Sequence, residues 1–138
     1  MRIIILSQTF YARYPRTAFP EILDKDNRPY FYLTVKIENH SFAIPLRHHI
    51  AHPYAFMTIG DAGLDFTKAV IIDDPSDISS TTAWIDTNEW KILKRNENKI
   101  FYEFRKYVRQ FKRALANPVN PRNRRILQYS SLQYFNLD

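Results

Sequence analysis

The 138-residue chain has no cysteine and only two glycines, Gly60 and Gly63. Without cysteine there is no disulfide framework, no thiolate nucleophile and no cysteine-based zinc site. Two glycines cannot make a phosphate-cradling glycine loop, which excludes P-loop, protein-kinase and Rossmann chemistry. The GxSxG signature of a serine hydrolase is also missing. No apolar run approaches the ~20 residues of a membrane-spanning helix. The N-terminal run Ile3–Leu6 is too short to be the core of a secretory signal. These absences lead to the expectation of a cytoplasmic protein forming one domain over residues 1–138.

What is present is positive charge, unevenly placed. The formal net charge is +6. Between Lys91 and Arg125 twelve lysines and arginines face only Glu97 and Glu103, whereas the segment from Asp61 to Glu89 is acidic. A basic C-terminal third is the electrostatic footprint of a polyanion partner, although a solvated helix face has the same composition.

Patterning predicts α+β architecture. Residues 2 to 7 read as a buried strand, and residues 11 to 29, with Pro15, Pro20 and Pro29, as a long loop. Two alternating runs, 30 to 37 and 40 to 46, flank Glu38 and Asn39 as a hairpin. Pro45 implies an edge, an end or a bulge in the second run. A fourth strand is expected at 68 to 74. From about Asn96 the period becomes helical, with Ile100, Phe104, Val108, Phe111 and Leu115 on one stripe. Asn120 and Pro121 have the order of a helix cap followed by a first-turn proline. The sum is a compact, strongly bent antiparallel β-sheet with helices mainly in the C-terminal half.

The chemistry centres on one segment. His48, His49 and His52 follow Arg47 closely, leaving His40 as the only other histidine. Their spacing is poor for zinc, since adjacent strand residues point to opposite faces and no HExxH occurs. No metal or other cofactor is expected. RNA cleavage by an internal 2′-hydroxyl suits these residues better, because it needs only proton transfer and charge stabilisation. Histidine titrates near neutrality, and arginine presents a fork matched to phosphate oxygens. Tyr11, Tyr14, Tyr30, Tyr32 and Tyr54 add rings on which single-stranded bases could stack, though a tyrosine is more often packed in a core. On these residues alone, a nuclease and a non-catalytic nucleic-acid-binding module fit equally. An enzyme acting on a small anionic metabolite is a further alternative.

The runs "RPYFYLTVKIENHSFAIPLR" and "GLDFTKAVII", with "SQTFY" before them and basic helices after, resemble the toxins of type III toxin–antitoxin systems. These are the ToxN/AbiQ family, and the CptN/TenpN branch is the nearest in feel. The resemblance implies a barrel-like Kid/MazF fold with added helices. It implies a metal-independent endoribonuclease leaving a 2′,3′-cyclic phosphate and a 5′-hydroxyl. It also implies a partner: a small pseudoknotted antitoxin RNA, bound in a cyclic protein–RNA assembly, in a bacterial system of phage defence by abortive infection. By the same resemblance the catalytic groove draws on Tyr11 (or Phe10), Tyr30, Arg47, His48 and Lys68. His49 is an alternative to His48, because a one-residue slip would exchange the two. Arg105, Lys106, Arg109, Lys112, Arg113, Arg122, Arg124 and Arg125 are the candidate RNA-binding residues.

Overall fold

The computed structural model describes residues 1–138. It is α+β, with a six-stranded antiparallel sheet and four helices, three of them in the C-terminal half. The strands are β1 (Arg2–Ile4), β2 (Tyr30–Tyr32), β3 (Phe42–Arg47), β4 (Ala55–Met57), β5 (Gly63–Asp65) and β6 (Val70–Ile71). The helices are α1 (Gln8–Arg13), α2 (Thr87–Arg95), α3 (Glu97–Ala116) and α4 (Pro121–Tyr129). No helix is long and apolar enough to cross a membrane.

The sheet runs β1-β2-β3-β5-β4, with β6 also on β3, and it does not close into a barrel. Closure would require the outer strands β1 and β4 to pair, and each has only one neighbour. The hairpin expectation holds through an unusual turn. Glu38 and Asn39 both take the left-handed conformation, at φ 52° and 67°, and Ile37 and His40 exchange backbone hydrogen bonds of 3.0 and 2.9 Å. That is the twist-matched geometry of a two-residue hairpin loop, formed here without glycine.

β3 is central, so Pro45 is not on an edge strand. One side of β3 pairs with β2 along its length. The other side pairs first with β6, at Phe42 and Ala43, and then with β5, at Leu46 and Arg47. Pro45 lies at the gap between those partners. In an antiparallel ladder successive residues face opposite neighbours. Leu46 donates to Pro29 on the β2 side, so the N–H that proline lacks falls where no strand could accept it.

Several expected elements shift. The first strand stops at Ile4, and the fourth shrinks to Val70–Ile71 behind a 3-10 turn over Phe66–Lys68. The supposed loop at 11 to 29 begins inside α1, which Ser7 caps by accepting from the Phe10 N–H at 3.2 Å. Helix α2 has a readable cap, Asp86, whose carboxylate accepts from the Asn88 and Glu89 N–H groups at 2.9 and 3.1 Å. α4 starts as expected, with Asn120 capping and Pro121 in the first turn.

Helix α3 lays Ile100, Phe104, Tyr107, Val108, Phe111 and Ala114 against the sheet. Leu115, expected on that stripe, is exposed, because Ala114 occupies the last buried position. Phe42, Phe66 and Phe104 pack edge to face, at centroid separations of 5.1 and 5.3 Å, and form the centre of the larger core. On the other face, Phe10, Ile22, Tyr30 and Val70 close a smaller core under α1.

Gly63 pairs with Arg47 on one side and Met57 on the other. A Cβ there would sit 2.3 Å from the Phe56 carbonyl oxygen and 2.9 Å from Met57 Cα. Both obstacles are backbone and cannot rotate away. Gly63→Ala should therefore cost ~1–3 kcal/mol in urea unfolding. An unchanged midpoint would mean that β4 and β5 have slack at this point.

Candidate nucleic-acid interface

The end of β3 delivers Arg47 to the rim of a cleft of about 790 Å³ between the sheet and α4. Arg47, Lys68, Arg122 and Arg125 line it, with Tyr54, Tyr107 and Tyr129, and no carboxylate does. The carboxylates sit behind two of the cations. Asp65, the last residue of β5, is wholly buried and accepts from Arg47 Nη1 at 2.7 Å. Its other oxygen accepts from the Thr67 N–H at 3.0 Å and the Thr67 hydroxyl at 2.6 Å, capping the 3-10 turn. Glu21 accepts from Lys68 Nζ at 2.6 Å, and the Tyr129 carbonyl does so at 2.8 Å.

This arrangement aims the cations without occupying them fully. A guanidinium has five N–H donors, and Asp65 engages Nη1 alone. The rest of Arg47, a third exposed, faces outward. Arg122 and Arg125 project from α4 with no acidic partner within ion-pair distance.

The histidine cluster is divided. His52 is the member that lines this cleft. Its Nδ1 accepts from the Tyr54 N–H at 3.1 Å, so in the neutral ring the proton resides on Nε2. Nε2 lies 3.1 Å from Asp65 Oδ1, within ion-pair range but off the hydrogen-bond direction. Both ring nitrogens are thus turned to the protein. His49 takes a left-handed φ of 59° and reaches out to Asp61, 2.9 Å away, with its side chain 90% exposed. It lines neither this cleft nor its neighbour, so the two adjacent histidines, His48 and His49, are placed apart. The His49 contacts hold the exposed Asp61 carboxyl below the usual range, the backbone hydrogen bond contributing most.

His48 has the opposite character: an exposed ring with no side-chain hydrogen bond. It lines a second cleft of about 350 Å³ with Arg28, Trp84 and, again, Arg47. Arg47 is therefore the side chain shared by the two clefts, and His48 is the histidine with free nitrogens next to it.

Tyr30 stands opposite Pro45 of β3, and Tyr11 is its neighbour. Tyr30 is wholly buried in the smaller core, so the reading of it as a groove residue is corrected: no substrate reaches its ring. Its hydroxyl is buried without a hydrogen-bond partner. Burial, then the neighbouring Tyr11, holds its proton well above the usual tyrosine range, while Arg28 and Arg47 pull the other way. Tyr11, half-buried, is pushed up to about 12 by burial first and the Asp24 carboxylate second. It lines neither cleft.

The helical cations do not form one track. Arg122 and Arg125 line the large cleft, whereas Arg105 and Arg109 border a separate hollow with Lys36 and Phe101. Lys106 edges a third hollow beside Glu103, and Lys112 is paired with Glu38 at 3.2 Å. Arg113 and Arg124 are exposed. Sequence reasoning missed Asp65, Trp84 and the role of His52. For Asp65 a signal existed: a lone acid between Leu64 and Phe66 has to be buried with a partner.

Two measurements follow from these contacts. Arg47→Ala strands a buried carboxylate and should cost ~3–5 kcal/mol, part of which Asp65→Asn in the same chain restores. Full stability of the single variant in urea would show the pair to be solvated. For Tyr11, the folded value lies above the unfolded one, so its contribution is complete below pH 10 and is lost as pH rises toward 12. In a tyrosinate absorbance titration it should ionise last among the accessible tyrosines. Ionisation at the ordinary value would contradict its burial. No protein-family model, curated protein or solved structure matches this chain.

Proposed function

We propose that the chain is a metal-independent endoribonuclease, the toxin of a bacterial type III toxin–antitoxin system, acting on single-stranded RNA in the cytoplasm. The observation that carries this reading is the cleft in which Arg47, Lys68, Arg122 and Arg125 meet without a carboxylate on the surface, next to an unencumbered His48. Such a surface favours a phosphodiester, and two clefts joined at Arg47 favour a polymer over a small metabolite.

The chemistry starts with the 2′-oxygen attacking the adjacent phosphorus. A P–O bond forms to the 2′-oxygen and the bond to the 5′-oxygen breaks, leaving a 2′,3′-cyclic phosphate and a 5′-hydroxyl. His48 exchanges protons at this centre. Arg47, oriented by Asp65, balances the charge that builds on the phosphorane oxygens, with Lys68 supporting it. Arg122 and Arg125 hold flanking phosphates. The remaining basic faces, around Arg105, Arg109 and Lys36, suit a folded antitoxin RNA held by shape and backbone contacts. A Kid/MazF-like relationship of the bent sheet belongs to the same proposal.

A second reading, a non-catalytic RNA-binding module, draws on His52. The histidine inside the large cleft has Nδ1 bonded to the Tyr54 N–H and Nε2 buried against Asp65, so binding there does not by itself imply cleavage.

The deciding assay incubates purified protein with mixed-sequence RNA in excess EDTA and tests the new 3′ ends for cyclic phosphate. His48→Ala should lower the cleavage rate ~10²–10⁴-fold with RNA affinity retained. The pair Arg122→Ala/Arg125→Ala should weaken binding and reduce the salt slope by about 1.4. Bound but intact RNA would make the protein a module. Cleavage unaffected by His48→Ala would remove that residue from the mechanism.

A further inference from the structure

The second cleft differs in chemistry from the first. Three carboxylates, Asp26, Asp86 and Glu89, share its walls with Arg28, His48 and Trp84. The cations Lys25, Arg28 and Arg47 match those carboxylates in number, so this cleft is mixed in charge and does not simply continue the phosphate-binding surface. Trp84 is 85% exposed, the most exposed of the large hydrophobic side chains. The other tryptophan, Trp90, is half covered and carries Lys94 4.7 Å from its ring centroid. A bare indole beside a polar cleft keeps a large flat apolar face in contact with water, with no packing partner to cover it.

The polar groups around it are only partly committed. Asp86 uses one carboxylate oxygen to cap α2, and Glu89 uses one to accept from the Thr58 hydroxyl at 2.8 Å. Arg28 donates through Nη1 to the Leu46 carbonyl at 2.9 Å, while its Nε is buried without a partner. The site therefore combines a flat apolar face, spare carboxylate acceptors and the uncommitted Nη2 donors of Arg28. Those features match the face and the edge of a nucleobase.

We infer that the cleft lined by Trp84, Arg28, His48 and the three carboxylates is a nucleobase-binding subsite, stacking one unpaired base of the RNA strand on Trp84. This rests on the RNA reading above and extends it to base selection. Carboxylate oxygens accept from exocyclic amino groups, which adenine, cytosine and guanine carry and uracil lacks. The subsite thus prefers an amino-bearing base. Because Arg47 borders both clefts, the selected base belongs to a nucleotide flanking the phosphate held at Arg47.

The test uses a Trp90→Phe protein, in which Trp84 is the single tryptophan, and 2′-O-methylated oligo(A), oligo(C) and oligo(U), which cannot undergo 2′-attack. Trp84 emission should be quenched on binding oligo(A) and oligo(C), with affinity at least about fivefold above oligo(U). Trp84→Ala should weaken oligo(A) binding by about 5- to 150-fold, the equivalent of ~1–3 kcal/mol, and Trp84→Phe should recover much of it. Trp84 is exposed, so neither variant threatens the fold. Arg122→Ala/Arg125→Ala is measured in parallel and should weaken all three oligonucleotides alike. If that pair weakens binding while Trp84 is neither quenched nor needed, the subsite is wrong and the RNA-binding cleft stands. If the parent protein binds none of the oligonucleotides, both readings fall. Equal affinity for oligo(U) with quenching intact would overturn the amino-group selection.

Discussion

The Arg47–Asp65 pair is the contact on which the site depends. A fully buried carboxylate is tolerated only when its lone pairs are occupied, and Asp65 has Arg47 on one oxygen and Thr67 on the other. Those bonds join the end of β3, the end of β5 and the turn that carries Lys68. One buried acid thus orients an arginine, caps the turn behind a lysine and keeps His52 close by. Asp65 puts no carboxylate oxygen on the cleft surface and offsets part of the Arg47 charge from behind, so Arg122 and Arg125, which have no acidic partner, carry the unopposed positive charge.

The sheet supports this junction through a change of partner. β3 gives up β6 and takes β5 halfway along, at the residue whose missing N–H makes the break cost nothing in hydrogen bonding. The switch turns the last two residues of β3 toward β5 and brings Arg47 opposite Gly63. There, the absence of a side chain lets β4 close in from the other edge. Pro45 and Gly63 matter less as breakers than as fittings, since each removes an atom group that the crossing has no room for.

Legibility in the sequence followed the range of the interaction involved. The α3 stripe, the Asn120–Pro121 start and the β2–β3 hairpin come from neighbours three, four or two residues apart, and periodicity reveals them. The six-residue helix α1, which ends just before Pro15, and the short β4 and β5 are held by contacts with distant segments, and short runs have no period to read. Barrel closure was the largest overstatement of the expected fold. It depends on whether two edge strands meet, which no local pattern records.

For the site, the sequence by itself determined the ingredients: the excess of arginine and lysine, the gathering of histidine after Arg47, and the lack of cysteine and glycine chemistry. These are properties of composition and spacing and survive any folding. Only the tertiary structure decided which ingredients meet. It withdrew Tyr30 into the core, turned His52's nitrogens to the protein, left His48 free and set Arg122 and Arg125 across from Arg47. Adjacent residues on a strand end diverge, whereas Arg47 and Asp65, eighteen positions apart, share a bond. Charge is written in the chain, but direction and burial arise only when the chain packs against itself.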